Sequence, residues 1–448
     1  MEDVKKNKPK QASFLDCHNG SLVEIVGDKD NPGSTLFVIY KVLFDEIEIS
    51  DKVTVDGIDY CPPSDDLIKT GTILLPTYPE PYNTLKELVD VIDKFVYRYL
   101  DITDSYRKLA TYYILLSWIY DCFETIPYLR AIGDYGTGKS RFQKVIGHLC
   151  YKPMFAGGAT TPSPIFRIIN LYRGTLIIDE ADFRLSDAQS EIVKIFNCGY
   201  TTGVPVLRTE GDKERMPVAY NVFCPKIIAT RERFTDKALE SRCLTEVMQG
   251  NPRVGIPIHL PKSFYNEALK IRNMLLLFRL KHYGQVEIKP ELAIEGVEAR
   301  VNQILLPLLS IIEDQKVLEE LKTFARQYGQ QIKDSRGEEI QAEVLKVLVD
   351  MVKEHEVLAN KSIAEKINKN RDLENGEYKI SPAKIGRLNS TFYNFQTRKI
   401  NGVTQIIWDS EKAQKLCQRY NIDYQLVDNV DIVDDSKEDI NDFAEKLF

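Results

Sequence analysis

The period of the apolar positions changes several times along the chain, and each change predicts a different element. From Ser13 to about Leu75, runs such as STLFVIYKVLF and KVTVDGIDY alternate β-prone residues with Gly, Pro and Asp turns. That pattern predicts a small β-rich module over 13–83, behind a disordered basic lead at 1–12. PTYPEPYN is a proline-punctuated linker. TLKELVDVIDKFVYRYLD and SYRKLATYYILLSWIYDCF then place apolar residues at helical spacing, with Thr84 and Ser105 as N-caps. From Pro127 to about Met248 the order strand, loop, helix repeats, as in an α/β core with a parallel sheet. This core with its preceding helices is expected over 84–250. A helical region is expected over 251–336, and three helices, a hairpin and a further helix over 337–424. The end, 425–448, reads as an acidic tail.

Composition narrows the class. Of 448 residues, 43% are hydrophobic and 28% charged, which suits a soluble protein. The most apolar stretch, YYILLSWIYDCF, is too short to span a membrane and is flanked by Arg107, Lys108, Asp121 and Glu124, so a buried helix is expected. The start, MEDVKKNKPKQASF, has no apolar signal core, and a cytoplasmic location is expected. Eight cysteines without a CxxC pair, and five dispersed histidines, read as reduced thiols and argue against a zinc site. The net charge is −7, but Asp428–Phe448 holds eight acidic residues against two lysines. The rest of the chain is therefore near neutral, and local basic surfaces for nucleic acid remain open to it.

The candidate chemistry starts in AIGDYGTGKSRFQKVI. G-x-x-x-x-G-K-S fits Gly133–Ser140, with a strand-like IPYLRAI before it and a helix-like run after it. Gly133, Gly136 and Gly138, with Thr137, would let backbone N–H groups face the phosphates of ATP at a helix N-terminus. Lys139 would reach the β- and γ-phosphates, and Ser140 would ligate Mg²⁺. In GTLIIDEAD an apolar strand ends in Asp179, a second Mg²⁺ ligand, and Glu180, which would orient or deprotonate the attacking water. An ordinary buried strand with acids at its exposed end is the plainer alternative. The strand in CPKIIATRERF ends in Thr230, placed to touch the γ-phosphate or the water as a first sensor, or else a turn threonine. In DKALESRC, Arg242 lies where an arginine finger could enter a neighbour's site, or where it could pair with Glu240 or Glu246.

These motifs follow the order and spacing of the AAA+ ATPases. TLIIDEAD, IFNCGYTTGVPVLRTEG, NVFCPKIIA and DKALESR resemble the helicase-like ATPases of plasmids, phages and integrative elements, relatives of minichromosome maintenance helicases. The resemblance covers about 84–330 and, more weakly, the C-terminal 80 residues. It implies an α/β P-loop AAA+ core with a helical lid, joined here to the N-terminal β-rich module and a C-terminal winged helix. GVPVLRTEGDKERMPVAYNVF reads as strand, charged turn, strand. It is similar to the hairpin that ring helicases insert before their first sensor to grip DNA in the channel. Arg208, Lys213 and Arg215 would make that grip, although Glu210, Asp212 and Glu214 share the turn. By the same resemblance Arg300 is the second-sensor arginine, with Arg272 as its competitor.

In the C-terminal region Ser381 and Pro382 open a helix that carries Lys384 and Arg387 on one face, and Arg398 and Lys399 lie on the first strand of the hairpin that turns at Asn401-Gly402. These four form a candidate duplex surface, and a protein-binding module is the alternative. The expectation is a ring, as a hexamer, that hydrolyses ATP with Mg²⁺ between subunits and hauls single-stranded DNA in the replication of a mobile element. The acidic tail could dock a replication partner. An ATP-switched initiator or loader that binds duplex DNA is the alternative, and an AAA+ machine acting on protein is a further one.

Overall fold

A computed structural model of the chain describes residues 8–179, 187–210, 216–250, 253–337, 340–370, 380–400 and 402–424. The chain divides into two compact units, 1–326 and 327–448. The division falls inside a helix, somewhat before the expected boundary at 336/337.

The first unit opens with seven short strands, β1 (Lys10–Gln11), β2 (Phe14–Asp16), β3 (Ser21–Gly27), β4 (Thr35–Lys41), β5 (Glu46–Ser50), β6 (Val53–Val55) and β7 (Ile58–Cys61). β2 to β5 form an antiparallel meander, and β7 lies between β1 and β6 in a three-stranded sheet. A short helix α1 (Asp66–Lys69) follows, capped by the Asp65 carboxylate. This module is built into the α/β core that follows it. Glu24 of β3 is fully buried; it accepts from Tyr151 Oη at 2.6 Å and pairs with Lys152 and Arg279. Arg279 also makes a two-pronged bond to Asp121, at 2.8 Å on each side. Two acids and two bases so share one interior, each desolvated charge facing a counter-charge.

α2 (Leu85–Tyr99) and α3 (Asp104–Trp118) precede the core. Thr84 caps α2 as expected. The cap position of α3 is Thr103, not Ser105, and its hydroxyl caps nothing. Its backbone N–H and hydroxyl are both taken by the buried Glu246 carboxylate.

The core runs β8 (Tyr128–Ile132), α4 (Lys139–Gly147), β9 (Met154–Ala156), α5 (Pro162–Tyr172), β10 (Leu176–Ile178), α6 (Asp187–Cys198), β11 (Val206–Glu210), β12 (Met216–Tyr220), β13 (Lys226–Thr230), α7 (Lys237–Glu240) and β14 (Cys243–Val247). Five of these strands make one parallel sheet in the order β14-β8-β13-β10-β9. All five residues of β13 are buried, as strands covered on both faces require. β11 and β12 form a separate antiparallel hairpin with Arg208 opposite Val218. α8 (Lys262–His282), α9 (Ala299–Ser310) and the first half of α10 (Gln315–Gly337) close the unit. α8 is buried along most of its length, with Arg272, Asn273 and Arg279 inside.

The second unit contains α11 (Ile340–Lys353), α12 (Asn360–Asn370), α13 (Pro382–Leu388), β15 (Thr397–Ile400), β16 (Val403–Ile406) and α14 (Ser410–Arg419). Leu345, Leu348, Ile363, Ile367, Ile385 and Trp408 meet in its core. Ser381 caps α13 through Lys384 N–H, and Ala359 bridges to Gln405 beside the hairpin. Among the described residues no helix is long and apolar enough to cross a membrane, and no cluster of His, Cys, Asp or Glu has metal-site geometry.

Candidate nucleotide site

The glycine loop joins the buried strand β8 to α4. Gly136 and Gly138 have φ of +75° and +97°, which side chains resist. Gly133 is required by space instead: a Cβ there would lie 2.6 Å from Thr137 Oγ1 and 3.1 Å from Met248 O. Thr137 Oγ1 in turn donates to Asp134 O at 2.8 Å and braces the turn. Lys139 Nζ donates to the carbonyls of Gly133 and Asp134, so its ammonium lies over the loop.

Ser140 lies in the first turn of α4 and Asp179 follows the end of β10, 39 residues later, yet Ser140 Oγ donates to Asp179 Oδ2 at 3.1 Å. Adjacent parallel placement of β8, β13 and β10 produces this meeting, because it sets their C-terminal ends side by side. A hydroxyl and a carboxylate are hard oxygen donors and suit Mg²⁺. Gln143, on the buried face of α4, donates to Ile178 O and ties the helix to the end of β10. A polar residue among apolar helical positions is the only trace that this role leaves in the sequence.

Thr230 ends β13, between the strands that carry Ser140's loop and Asp179. Its carbonyl accepts from Gly133 N–H. The side chain is 2% exposed, and its Oγ1 has no hydrogen-bond partner. A buried hydroxyl left unbonded costs about 1–3 kcal/mol, an expense that fits a group reserved for a ligand. Next to it, Arg231 stacks on the ring of Tyr135 in the loop, 4.0 Å from the centroid.

Arg242 lies elsewhere. Its carbonyl accepts from Tyr128 N–H at the start of β8, whereas the loop begins at that strand's other end. Five strand residues separate the two by roughly 16 Å. Arg242 is 6% exposed, donates to Asn197 Oδ1 and stacks on Tyr200, 4.1 Å from the ring centroid. The expected alternative pairs with Glu240 and Glu246 are not formed. Glu240 is held by the fully buried Arg130 through two 2.6 Å bonds and by Arg233. Burial pushes its carboxyl up, but Arg130's hydrogen bonds and charge outweigh this and hold it below the usual value. Glu246 is committed to Thr103, and burial raises it.

Arg300, at the first turn of α9, joins Arg242. It donates to Tyr200 Oη at 3.3 Å, and its guanidinium is 5.0 Å from the same ring centroid. Its competitor Arg272 does not approach the loop. Arg272 is buried and donates at 2.7 Å to His148 O, capping the far end of α4, and burial lowers it to about 10.

Arg208, expected to hold DNA, pairs with Glu191 of α6 and stacks on Phe166. Arg167 of α5 pairs with Glu210 at the turn end of β11, so ion pairs hold the hairpin's first strand to α5 and α6. Arg208 is thereby held against α6 and the Phe166 ring. Glu180, Lys213, Arg215, Asn401 and the acidic tail lie outside the described residues. In the second unit Lys384, Arg387, Arg398 and Lys399 are exposed. Arg398 and Lys399 are consecutive on β15, opposite Gln405 and Thr404, so their side chains leave opposite faces of the hairpin.

No family model matches the chain, and no curated protein matches it. Solved structures similar to it include the A-form apo structure of the NrS-1 C-terminal region, at 14% identity and TM-score 0.36, covering 86% of this chain and 95% of that one. A full-length MCM homologue from Methanopyrus kandleri is similar at 11% identity and TM-score 0.37, over 71% and 75% of the two chains. The SCCmec type IV Cch active helicase is similar at 10% identity and TM-score 0.37, over 89% and 80%. At these low identities and TM-scores the likenesses carry no weight in assigning a function, which rests on the residues of the loop and the strand ends.

Proposed function

We propose that the chain is an ATP hydrolase of the AAA+ helicase type, which assembles as a hexameric ring and moves along DNA in the replication of a mobile element. The observation that carries this is the contact of Ser140 with Asp179 at the mouth of the glycine loop, 3.1 Å apart from two separate motifs. ATP would lie on the loop, with Lys139 on its outer phosphates. Ser140 and Asp179 would hold Mg²⁺, which when bound offsets charge on the phosphates. Thr230 would bond the terminal phosphate or the water, and Glu180 would activate that water. Arg242 and Arg300 would serve the nucleotide of the adjacent subunit, since they sit at the opposite end of the sheet from the loop of their own chain.

The helices α8 to α10 would act as the lid. The β11–β12 hairpin, with Lys213 and Arg215 in its turn, would contact single-stranded DNA in the channel. The second unit would be a winged helix that meets duplex DNA through Lys384 and Arg387. The acidic tail would bind a replication partner. The test is ATPase of the full chain with and without single-stranded DNA, paired with displacement of a labelled strand. Stimulation with displacement supports the motor. Tight binding of one duplex sequence without displacement would favour an initiator or loader instead.

A further inference from the structure

Arg242 and Arg300 both lie over the ring of Tyr200, and neither has a carboxylate partner among the described residues. Other buried arginines differ. Arg130 faces Glu240, and Arg279 faces Glu24 and Asp121. Arg242 Nε is buried and has no hydrogen-bond acceptor. Two like charges within 5.0 Å of one ring centroid repel each other, and the quadrupole of one phenol offsets only part of that. Among the described residues no carboxylate offsets these two charges, and an anion bound beside them would.

We propose that Tyr200 is the platform of an anion site, holding Arg242 and Arg300 as one unit that receives a phosphoryl group bound on the loop of a second copy of this chain. This rests on the ATPase reading given above and adds a positioning residue to it. Asn197 fixes the inner arginine from the end of α6, and its own amide donates to Asp236. Tyr200 Oη fixes the outer arginine at 3.3 Å, and Gln303 holds the same guanidinium at 2.8 Å. The backbone under Tyr200 is itself set. Gly199 passes so close to Val222 O that a Cβ would lie 2.4 Å away, and Tyr200 O accepts from Ile126 N–H. Burial pushes the Tyr200 hydroxyl up, but hydrogen bonds and charge from Arg300 and Arg242 bring it below the usual value. Tyr200 touches no nucleotide itself; it aligns the two groups that would.

The test is Tyr200→Phe in the full chain, which keeps the ring and removes the hydroxyl. Steady-state ATPase should fall about tenfold, the usual worth of a hydrogen bond to a charged group, while affinity for a fluorescent ATP analogue and the melting temperature stay unchanged. Two further measurements separate positioning from folding. Tyr200→Phe combined with Arg300→Gln should be no slower than Arg300→Gln alone; effects that multiply would overturn the proposal. Mixing Tyr200→Phe with Lys139→Ala subunits should recover part of the lost rate, because intact arginine pairs then face intact loops. If Arg242→Ala recovers in such mixtures and Tyr200→Phe does not, the platform is wrong and the composite site survives. If neither recovers, the composite site itself is wrong. A wild-type rate for Tyr200→Phe would overturn the platform outright.

Discussion

The two ends of the central sheet are built on opposite principles. At the C-terminal ends of β8, β13 and β10, a loop shaped by glycines holds Lys139 against its own carbonyls, and Ser140 meets Asp179. Donors and acceptors there largely satisfy one another. At the other end, Arg242 and Arg300 share Tyr200, and among the described residues no carboxylate is paired with either. One end satisfies most of its own polar groups, and the other holds two cations without an acid among the described residues. Under the proposed function the arginines of one copy would complete the loop of the next, a head-to-tail arrangement.

The contrast can be broken from either side. The largest effect is expected from Arg242→Ala, which should lower kcat roughly 10³-fold while nucleotide affinity is kept, since a transition-state arginine contributes on that scale. Steady-state kinetics beside equilibrium binding checks this. Arg130→Met comes next, and it is a matter of stability. Removing the buried partner leaves Glu240 only Arg233 and the Phe234 N–H and should cost about 3 kcal/mol, the low end for a broken buried pair, read in denaturant melts. Thr230→Val sharpens the contrast at the cradle end. Because Oγ1 is unbonded, the fold should change by less than about 1 kcal/mol, whereas turnover should fall about tenfold. A loss of stability with normal turnover would make Thr230 a packing residue. The smallest effect concerns pH. Glu240 in the fold lies below its ordinary value of 4.5, so its contribution is fully present above that pH and is lost as pH falls through the folded value. Melting temperature should drop on the acid side of pH 4.5, and Glu240→Gln should flatten that limb.

Much of the cradle was legible because phosphate chemistry constrains local sequence. The loop glycines, Lys139 and the apolar strand before Asp179 each announce themselves within a few residues. Thr230 was legible as a strand end, and its lack of a partner was not. The arginines were legible as candidates only. That Glu240 and Glu246 are already taken, by Arg130 and Thr103, depends on strands β8 and β14 and on the start of α3 meeting in space. Tyr200 and Gln143 left almost no signal, since their roles come from neighbours 35 to 100 residues away. The N-terminal strands were read as a separate module, but the charges that bind them to the core, Glu24, Lys152 and Arg279, are far apart in the chain and look like surface residues one by one.

The composite site is tested most directly by following specific ATPase activity against protein concentration, with the oligomeric state measured at each point by sedimentation. Activity per chain should rise steeply as monomers assemble and reach a plateau once every cradle has a neighbour. Full activity per chain in a dilute, demonstrably monomeric sample would contradict the account.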